Sequence, residues 1–339
     1  MKSIALVVPS HFSIYESIVD GLRASGLDVK LLVVTDTKFK YKNLLQRGIN
    51  AFEKIKGNKN FKKELIENQD SRKLLDALKE TNENFDYALV IRPDLINTFA
   101  LKKLKSRSNN MIAYQWDGLS RYPNVFNLIP LFNRFYVFDL LDFKKYASTY
   151  NNLYYSTNFY FDHHKNNNVT SDNKTYYRGS YVKERVSKLF KIAKLLDLLK
   201  VDSSIFLYSF DLSKIEEKPT TENIIFTNKH LEYHEIINEV RHCGSLLELQ
   251  NNDIHSGLSF RVFEALHFRK KIITDNEDIK NYDFYVPNNI FVITESNSHE
   301  IIDFLKTPYE HLEDDIYKKY AFSTWISNVL NANLFQTNN

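Results

Sequence analysis

Short apolar runs alternate along the chain with longer stretches of helical spacing. Ile4-Ala5-Leu6-Val7-Val8 reads as a strand, Ser10-His11-Phe12-Ser13 as a turn, and Ile14, Ile18 and Leu22 fall on one side of a helix ending near Gly26. A second strand at 29–34 completes a βαβ opening, which predicts a parallel sheet with a right-handed crossover. Further strands are expected at 85–91, stopped by Arg92-Pro93-Asp94, at 110–116, stopped by Asp117-Gly118, and at 134–138, stopped by Asp139 before a short helix through Phe143 and Tyr146. This is the pattern of a doubly wound domain.

The polar stretch 163–174 is the best linker candidate, and the same alternation resumes after it. Strands are expected at 176–180, 204–208, 224–228, 245–249, 271–274 and 290–293. Helices are expected at 182–199, 232–241 and 258–268, with helical patterns at 298–306 and 309–331 closing the chain. The predicted organisation is a first Rossmann-like domain over 1–165, a second over 175–310, and a carboxyl-terminal helix over 311–339 that packs back on the first. Two such α/β domains bind ligands at the carboxyl ends of their strands, so a cleft between them is the expected site.

The 339-residue length suits two domains, and 43% hydrophobic with 26% charged residues, only 8 Gly and 7 Pro, is the composition of a globular protein. The opening apolar run is short for a secretory signal, and no stretch approaches the roughly 18 apolar residues of a membrane span. With Cys243 alone there is no intramolecular disulfide framework, and the expected location is the cytoplasm. A net charge of +3 without a nucleic-acid motif gives no reason to expect nucleic-acid binding. The charge is uneven, however. Nine basic residues, from Lys38 to Lys63, crowd one stretch with Tyr41, Phe52 and Phe61 among them, which suits either a solvated helix face or peripheral contact with an anionic inner-membrane surface.

Candidate chemistry gathers just after the strands. Helix 258–268 aims its first N–H groups at the loop 250–256, where they and the helix dipole suit a phosphate, and Gly257 admits close backbone approach. Glu264 lies on the same helix, where a carboxylate can accept two bonds from vicinal ribose hydroxyls. The alternative makes Ser259 a helix cap, Gly257 a turn residue and Glu264 a surface charge. Gly179, Ser180 and Thr227 also follow or end strands, and Arg185, near the start of helix 182–199, suits a phosphate partner. In the first domain Asp117 is the leading general base, with a turn-capping role as its alternative, and His11 is the competing base. Arg92 and Asp94 suit a polyhydroxyl or anionic acceptor, or equally a turn closed by a local ion pair. His230 and His234 lack a third zinc ligand nearby, and no metal is expected.

The run GLSFRVFEALHFRKKIITDN (257–276), with the later Pro287-Asn288-Asn289-Ile290, resembles the carboxyl-terminal region of GT-B-like bacterial glycosyltransferases of lipopolysaccharide and capsule biosynthesis. Tyr114-Gln115-Trp116-Asp117, Phe138-Asp139 and Tyr177-Arg178-Gly179-Ser180 are similar to features of that family in the same order. The resemblance implies a nucleotide-sugar donor held by the second domain, with Glu264 of the segment Arg261 to Leu266 on its ribose, and a glycan or lipid-linked acceptor on the first; Arg261 joins Gly257 and Ser259 as a candidate donor contact. It also implies a metal-independent reaction. Phe268-Arg269-Lys270 stands where the family usually has Gly, and Leu258-Ser259 supplies no second acid, so the donor nucleotide stays open. Two rivals follow: a transferase using a CMP-linked acidic sugar, and a catalytically silent scaffold subunit.

Overall fold

The computed structural model describes residues 1–10, 13–35, 41, 43–57, 61–164, 172–216, 219, 221–250 and 256–331. The chain forms two compact units, one of residues 1–157 with 326–339 and one of residues 158–325.

The first unit contains β1 (Lys2–Pro9), α1 (Ile14–Ala24), β2 (Leu27–Thr35), α2 (Leu44–Ile55), α3 (Phe61–Glu80), β3 (Phe85–Ile91), α4 (Thr98–Lys105), β4 (Ser108–Gln115), β5 (Arg134–Val137), α5 (Leu140–Tyr146) and β6 (Leu153–Tyr155). Its strands make one parallel sheet in the order β2-β1-β3-β4-β5-β6. The strands are apolar almost throughout because helices cover both faces, as parallel sheets require. Ile14, Ile18 and Leu22 of α1 are buried, as their spacing predicts. The short edge strand β6 and helix α4 were not anticipated. Three residues carry no readable alternation, and β6 is fixed by pairing with β5 through Phe135–Leu153 to Val137–Tyr155.

The second unit contains β7 (Thr175–Ser180), α6 (Lys183–Leu198), β8 (Ser203–Tyr208), β9 (Ile224–Thr227), α7 (Tyr233–His242), β10 (Ser245–Glu248), α8 (Phe260–Phe268), β11 (Lys271–Thr274), β12 (Ile290–Val292), α9 (Ile301–Lys306), α10 (Asp314–Lys319) and the start of α11 (Phe322–Asn331). Its parallel sheet runs β12-β11-β10-β7-β8-β9. The order reverses between β7 and β10, and in the first unit between β1 and β3. Open α/β sheets bind ligands at the carboxyl ends of strands that flank such a reversal.

The division falls at Thr157/Asn158, ahead of the stretch 163–174 read as a linker, of which 165–171 lie outside the described residues. Residues 158–164 belong to the second unit because their side chains are built into it. Phe159 packs against Phe260, Phe322 and Trp325, and Tyr160 stacks on His267. The helical pattern over 309–331 forms two helices, α10 and α11, where one carboxyl-terminal helix was expected from 311 onward. Tyr160 N donates to Tyr320 O and Phe322 N to Tyr160 O, and this isolated bridge takes the backbone groups a continuous helix would need. Residues 326–331 count with the first unit, where Arg134 Nη2 donates to Leu330 O at 2.9 Å.

Candidate functional site

In the second unit, β7 and β10 are neighbours, so the helices that follow them, α6 and α8, start beside the reversal in strand order. Neither helix start carries a side-chain cap. The N-cap of α6 is Val182, which has no side-chain oxygen to offer, and Ser259 at the N-cap of α8 makes no side-chain capping bond. Ser259 Oγ is buried and has no partner among the described residues. A buried hydroxyl that neither caps its helix nor pairs among the described residues is a polar group that a ligand can satisfy.

The approach to α8 is tightly fixed. Asn158 Nδ2 donates to Leu258 O at 2.9 Å, and Arg261 Nη2 donates to Arg178 O at 2.7 Å, which ties the first turn of α8 to the end of β7. Arg261 also lies over the Tyr177 ring, 4.8 Å from its centroid. Arg178 is held in turn by Glu239, with Nε–Oε2 at 3.0 Å, and by the Tyr176 hydroxyl at 2.9 Å. The fold thus brings Gly179, Ser180, Ser259 and Arg261 to one place. Gly179 has a structural reason to be glycine, since a Cβ there would come within 2.6 Å of the Tyr177 hydroxyl.

Thr227 stands farther along the sheet, in register with Tyr208, which pairs with Ser180. Its Oγ1 accepts from Lys229 N at 3.0 Å. Gly257 is buried in the bend before α8. For Arg185 only the backbone position, in α6, is described.

Glu264 is not a surface charge. It is 6% exposed, and its Oε1 accepts from the Tyr233 hydroxyl at 2.9 Å. Burial raises its pKa above the ordinary carboxylate value, against the opposing pull of Tyr233 and Arg261. Burial also lifts the Tyr233 phenol, and the Glu264 charge adds to the effect.

Beside these residues, at the carboxyl ends of β10, β11 and β12, lies a groove of about 870 Å³ lined by Lys188, Lys191, Gln250, Asp275, Asn276 and Thr294 among others. Its half-buried Asp275 accepts from Gln250 N at 2.8 Å and pairs with Lys188. Burial lowers the Lys188 pKa, with Glu248 opposing. Of the strand-end positions expected from sequence, its lining includes Gln250, the start of the loop after β10, but not Gly179, Ser180, Thr227 or Ser259. The reversal point, where two helices start without side-chain caps, is the stronger candidate for an anion.

In the first unit the expected residues also gather, but into a closed network. Arg92 follows β3 with φ 58°, a left-handed conformation that an L side chain adopts at a cost. Its guanidinium grips Asp94 with two bonds of 2.7 and 2.8 Å, and its Nη1 lies 3.6 Å from Asp117 Oδ2. Asp117 Oδ2 also takes a 3.0 Å bond from Arg121, and Oδ1 accepts from Gly118 N. The Tyr122 ring lies 4.1 Å from the Arg92 guanidinium carbon. Burial works against the Arg92 charge, but the bonds and charge of Asp94 outweigh it, and its pKa is raised. Asp117 does not cap the segment after it. Leu119 N is bound instead by Asp142 Oδ2, at 2.8 Å.

Sequence reasoning passed over Gln115 as a site residue. It is fully buried at the end of β4, and neither its Oε1 nor its Nε2 has a partner among the described residues. A polar residue closing an apolar strand just before Asp117 was the available signal. His11 lies outside the described residues. Among the described residues no group of three or more His, Cys, Asp or Glu stands together as a metal site requires.

No known family model matches the chain, and no curated protein matches it. Solved structures do. An alpha-glucosyltransferase in complex with UDP is similar at 12% identity and a TM-score of 0.56, over 98% of this chain and 96% of that one. An alpha-glucosyltransferase with UDP-glucose and DNA containing an abasic site matches at 12% identity and TM-score 0.55, over 96% and 94%. An MnaA–UDP structure from S. aureus matches at 14% identity and TM-score 0.51, over 98% and 97%. At these identities the likeness shows the fold, two α/β domains of the GT-B-like class, as the sequence resemblance implied.

Proposed function

We propose that the chain is a glycosyltransferase whose second unit binds a nucleotide-sugar donor and whose first unit binds the acceptor. One observation carries this reading: two helices without side-chain caps, α6 and α8, start at the strand-order reversal β7/β10, and Ser259 Oγ at the start of α8 has no partner among the described residues. Two helix starts without side-chain caps, with their dipoles, suit a diphosphate better than a neutral ligand. The UDP and UDP-glucose named for the similar structures support the same ligand class.

In this reading Gly179, Ser180, Gly257 and Ser259 receive the phosphates, with Arg185 and Arg261 supplying positive charge. Glu264 and Thr227 serve the nucleoside end. Asp117 is the base toward the acceptor hydroxyl, with His11 as its rival, and Arg92 and Asp94 shape the acceptor side. Arg121 and Gly118 N–H hold Asp117 in one orientation, which positions a base but also occupies lone pairs that a base needs. The acceptor proposed is a surface glycan, lipopolysaccharide or capsule, elongated in the cytoplasm. No metal is required, so transfer is expected to persist in EDTA.

The test is nucleotide binding followed by turnover. UDP, UDP-glucose and a CMP-linked acidic sugar are each added at about a hundredfold excess over Kd, where the matching nucleotide stabilises the fold by about 2.7 kcal/mol. Arg261→Ala lowers its affinity about tenfold or more, the usual cost of a lost charge-assisted bond. Asp117→Asn leaves binding intact and cuts turnover by about 10²-fold or more. If no nucleotide raises the melting temperature, the scaffold reading replaces this one. If Asp117→Asn turns over normally, Asp117 is an anchor of the ion network and not the base.

A further inference from the structure

Helix α2 is mounted with its polar side inward. Around its 3.6-residue turn, Leu44, Leu45, Ile49, Phe52 and Ile55 fall on one face, and all five are exposed, at 84, 73, 42, 55 and 84%. The opposite face carries Gln46, Asn50 and Glu53, half-buried or buried, and Asn50 Nδ2 donates to the Tyr41 hydroxyl at 2.8 Å. A surface helix normally does the reverse, burying its apolar stripe. Elsewhere among the described residues the exposed large apolar side chains, such as Phe99, Leu141, Leu198 and Phe210, are scattered through several elements. Scattered ones need no explanation, whereas a contiguous apolar face does.

The charge around that face identifies what covers it. Arg47, Lys54 and Lys56 are exposed on α2 and its last turn, and the Lys56 ammonium lies 4.4 Å from the Phe52 ring centroid, on the apolar side itself. The stretch 38–63 holds nine basic residues and one acid, Glu53, in a chain whose whole net charge is only +3. A protein partner of ordinary composition would not call for so one-sided a field. An interface of acyl chains beneath anionic headgroups matches both features at once.

We propose that α2 is a membrane-docking helix, which lies in the plane of an anionic bilayer surface with Leu44, Leu45, Phe52 and Ile55 among the acyl chains and Arg47, Lys54 and Lys56 at the headgroups. No helix among the described residues is long and apolar enough to cross a membrane, so docking is interfacial. The proposal is independent of the donor site and survives its failure, since it is read without any transfer reaction.

The test is flotation of the full chain with vesicles of phosphatidylglycerol and phosphatidylcholine, and with phosphatidylcholine alone. The chain is expected to float with the anionic vesicles and to be released at high salt. Leu45→Glu with Phe52→Glu reduces the bound fraction more than tenfold at unchanged melting temperature, since both side chains are exposed. Lys54→Glu and Lys56→Glu each weaken binding about fivefold or more. Three results overturn the proposal: no flotation with anionic vesicles, flotation indifferent to Leu45→Glu with Phe52→Glu, or a wild-type dimer in solution that those substitutions dissociate. The last would assign the face to a second copy of the chain.

Discussion

The strand ends of the two units use similar residue types in opposite ways. At β3 and β4 every named charge is answered within the cluster: Arg92 by Asp94 and Asp117, Arg121 by Asp117. At β7 and β10 the charged side chains are pinned to backbone or to one another, but the helix starts have no side-chain cap and Ser259 Oγ has no partner among the described residues. A saturated network holds shape, whereas open donors hold a ligand. Among the described residues the first cluster is therefore saturated, and the second keeps a buried hydroxyl without a partner.

Removing one partner from the closed network should have the largest effect. Arg92→Ala leaves the Asp94 carboxylate, whose side chain is 1% exposed, buried without its cation, a change expected to cost about 3–5 kcal/mol in chemical denaturation. Arg92→Ala with Asp94→Ala should recover much of that loss. A small effect of the single substitution would mean that the cluster is not saturated, and the contrast between the units would collapse.

A smaller effect, with a pH signature, belongs to Glu264. Because burial raises its pKa above the ordinary carboxylate value of 4.5, the folded chain holds that proton more tightly than the unfolded chain does. Stability from this group therefore falls as pH rises from 4.5 through the raised value, and stays low above it. Glu264→Gln should flatten that decline and leave the chain more stable at neutral pH, while weakening nucleotide binding if the carboxylate meets a ribose. Melting temperature against pH for both proteins decides this, and parallel curves would refute it.

The smallest expected effect tests the exception within the first unit. Gln115 is buried with its amide unpartnered among the described residues, so Gln115→Leu should raise stability by about 1 kcal/mol by removing a desolvated polar group. If the same substitution also lowers turnover, the amide meets the acceptor. A stability loss would show that the amide is satisfied in solution.

Much of this was legible in the sequence. The strands at 85–91 and 271–274 stand where the apolar runs put them, and Gly257, Ser259 and Glu264 announced a helix that follows a strand of a second domain. Other features were not legible. Nothing local in 309–331 shows the break at Tyr320 and Ala321, because it is made by pairing with Tyr160, far away in the chain. The basic, aromatic stretch showed its charge but not that its helix faces its leucines outward.

By itself the sequence determined the elements and their alternation, because strand and helix periods are local properties of side-chain spacing. It therefore determined the doubly wound class. Tertiary structure alone decided which strand ends became neighbours, that Ser259 occupies a cap position without capping, and that Glu264 is buried against Tyr233 while Asp117 is locked between guanidinium groups. Those outcomes depend on burial and on partners distant in sequence, which no pattern within one segment encodes.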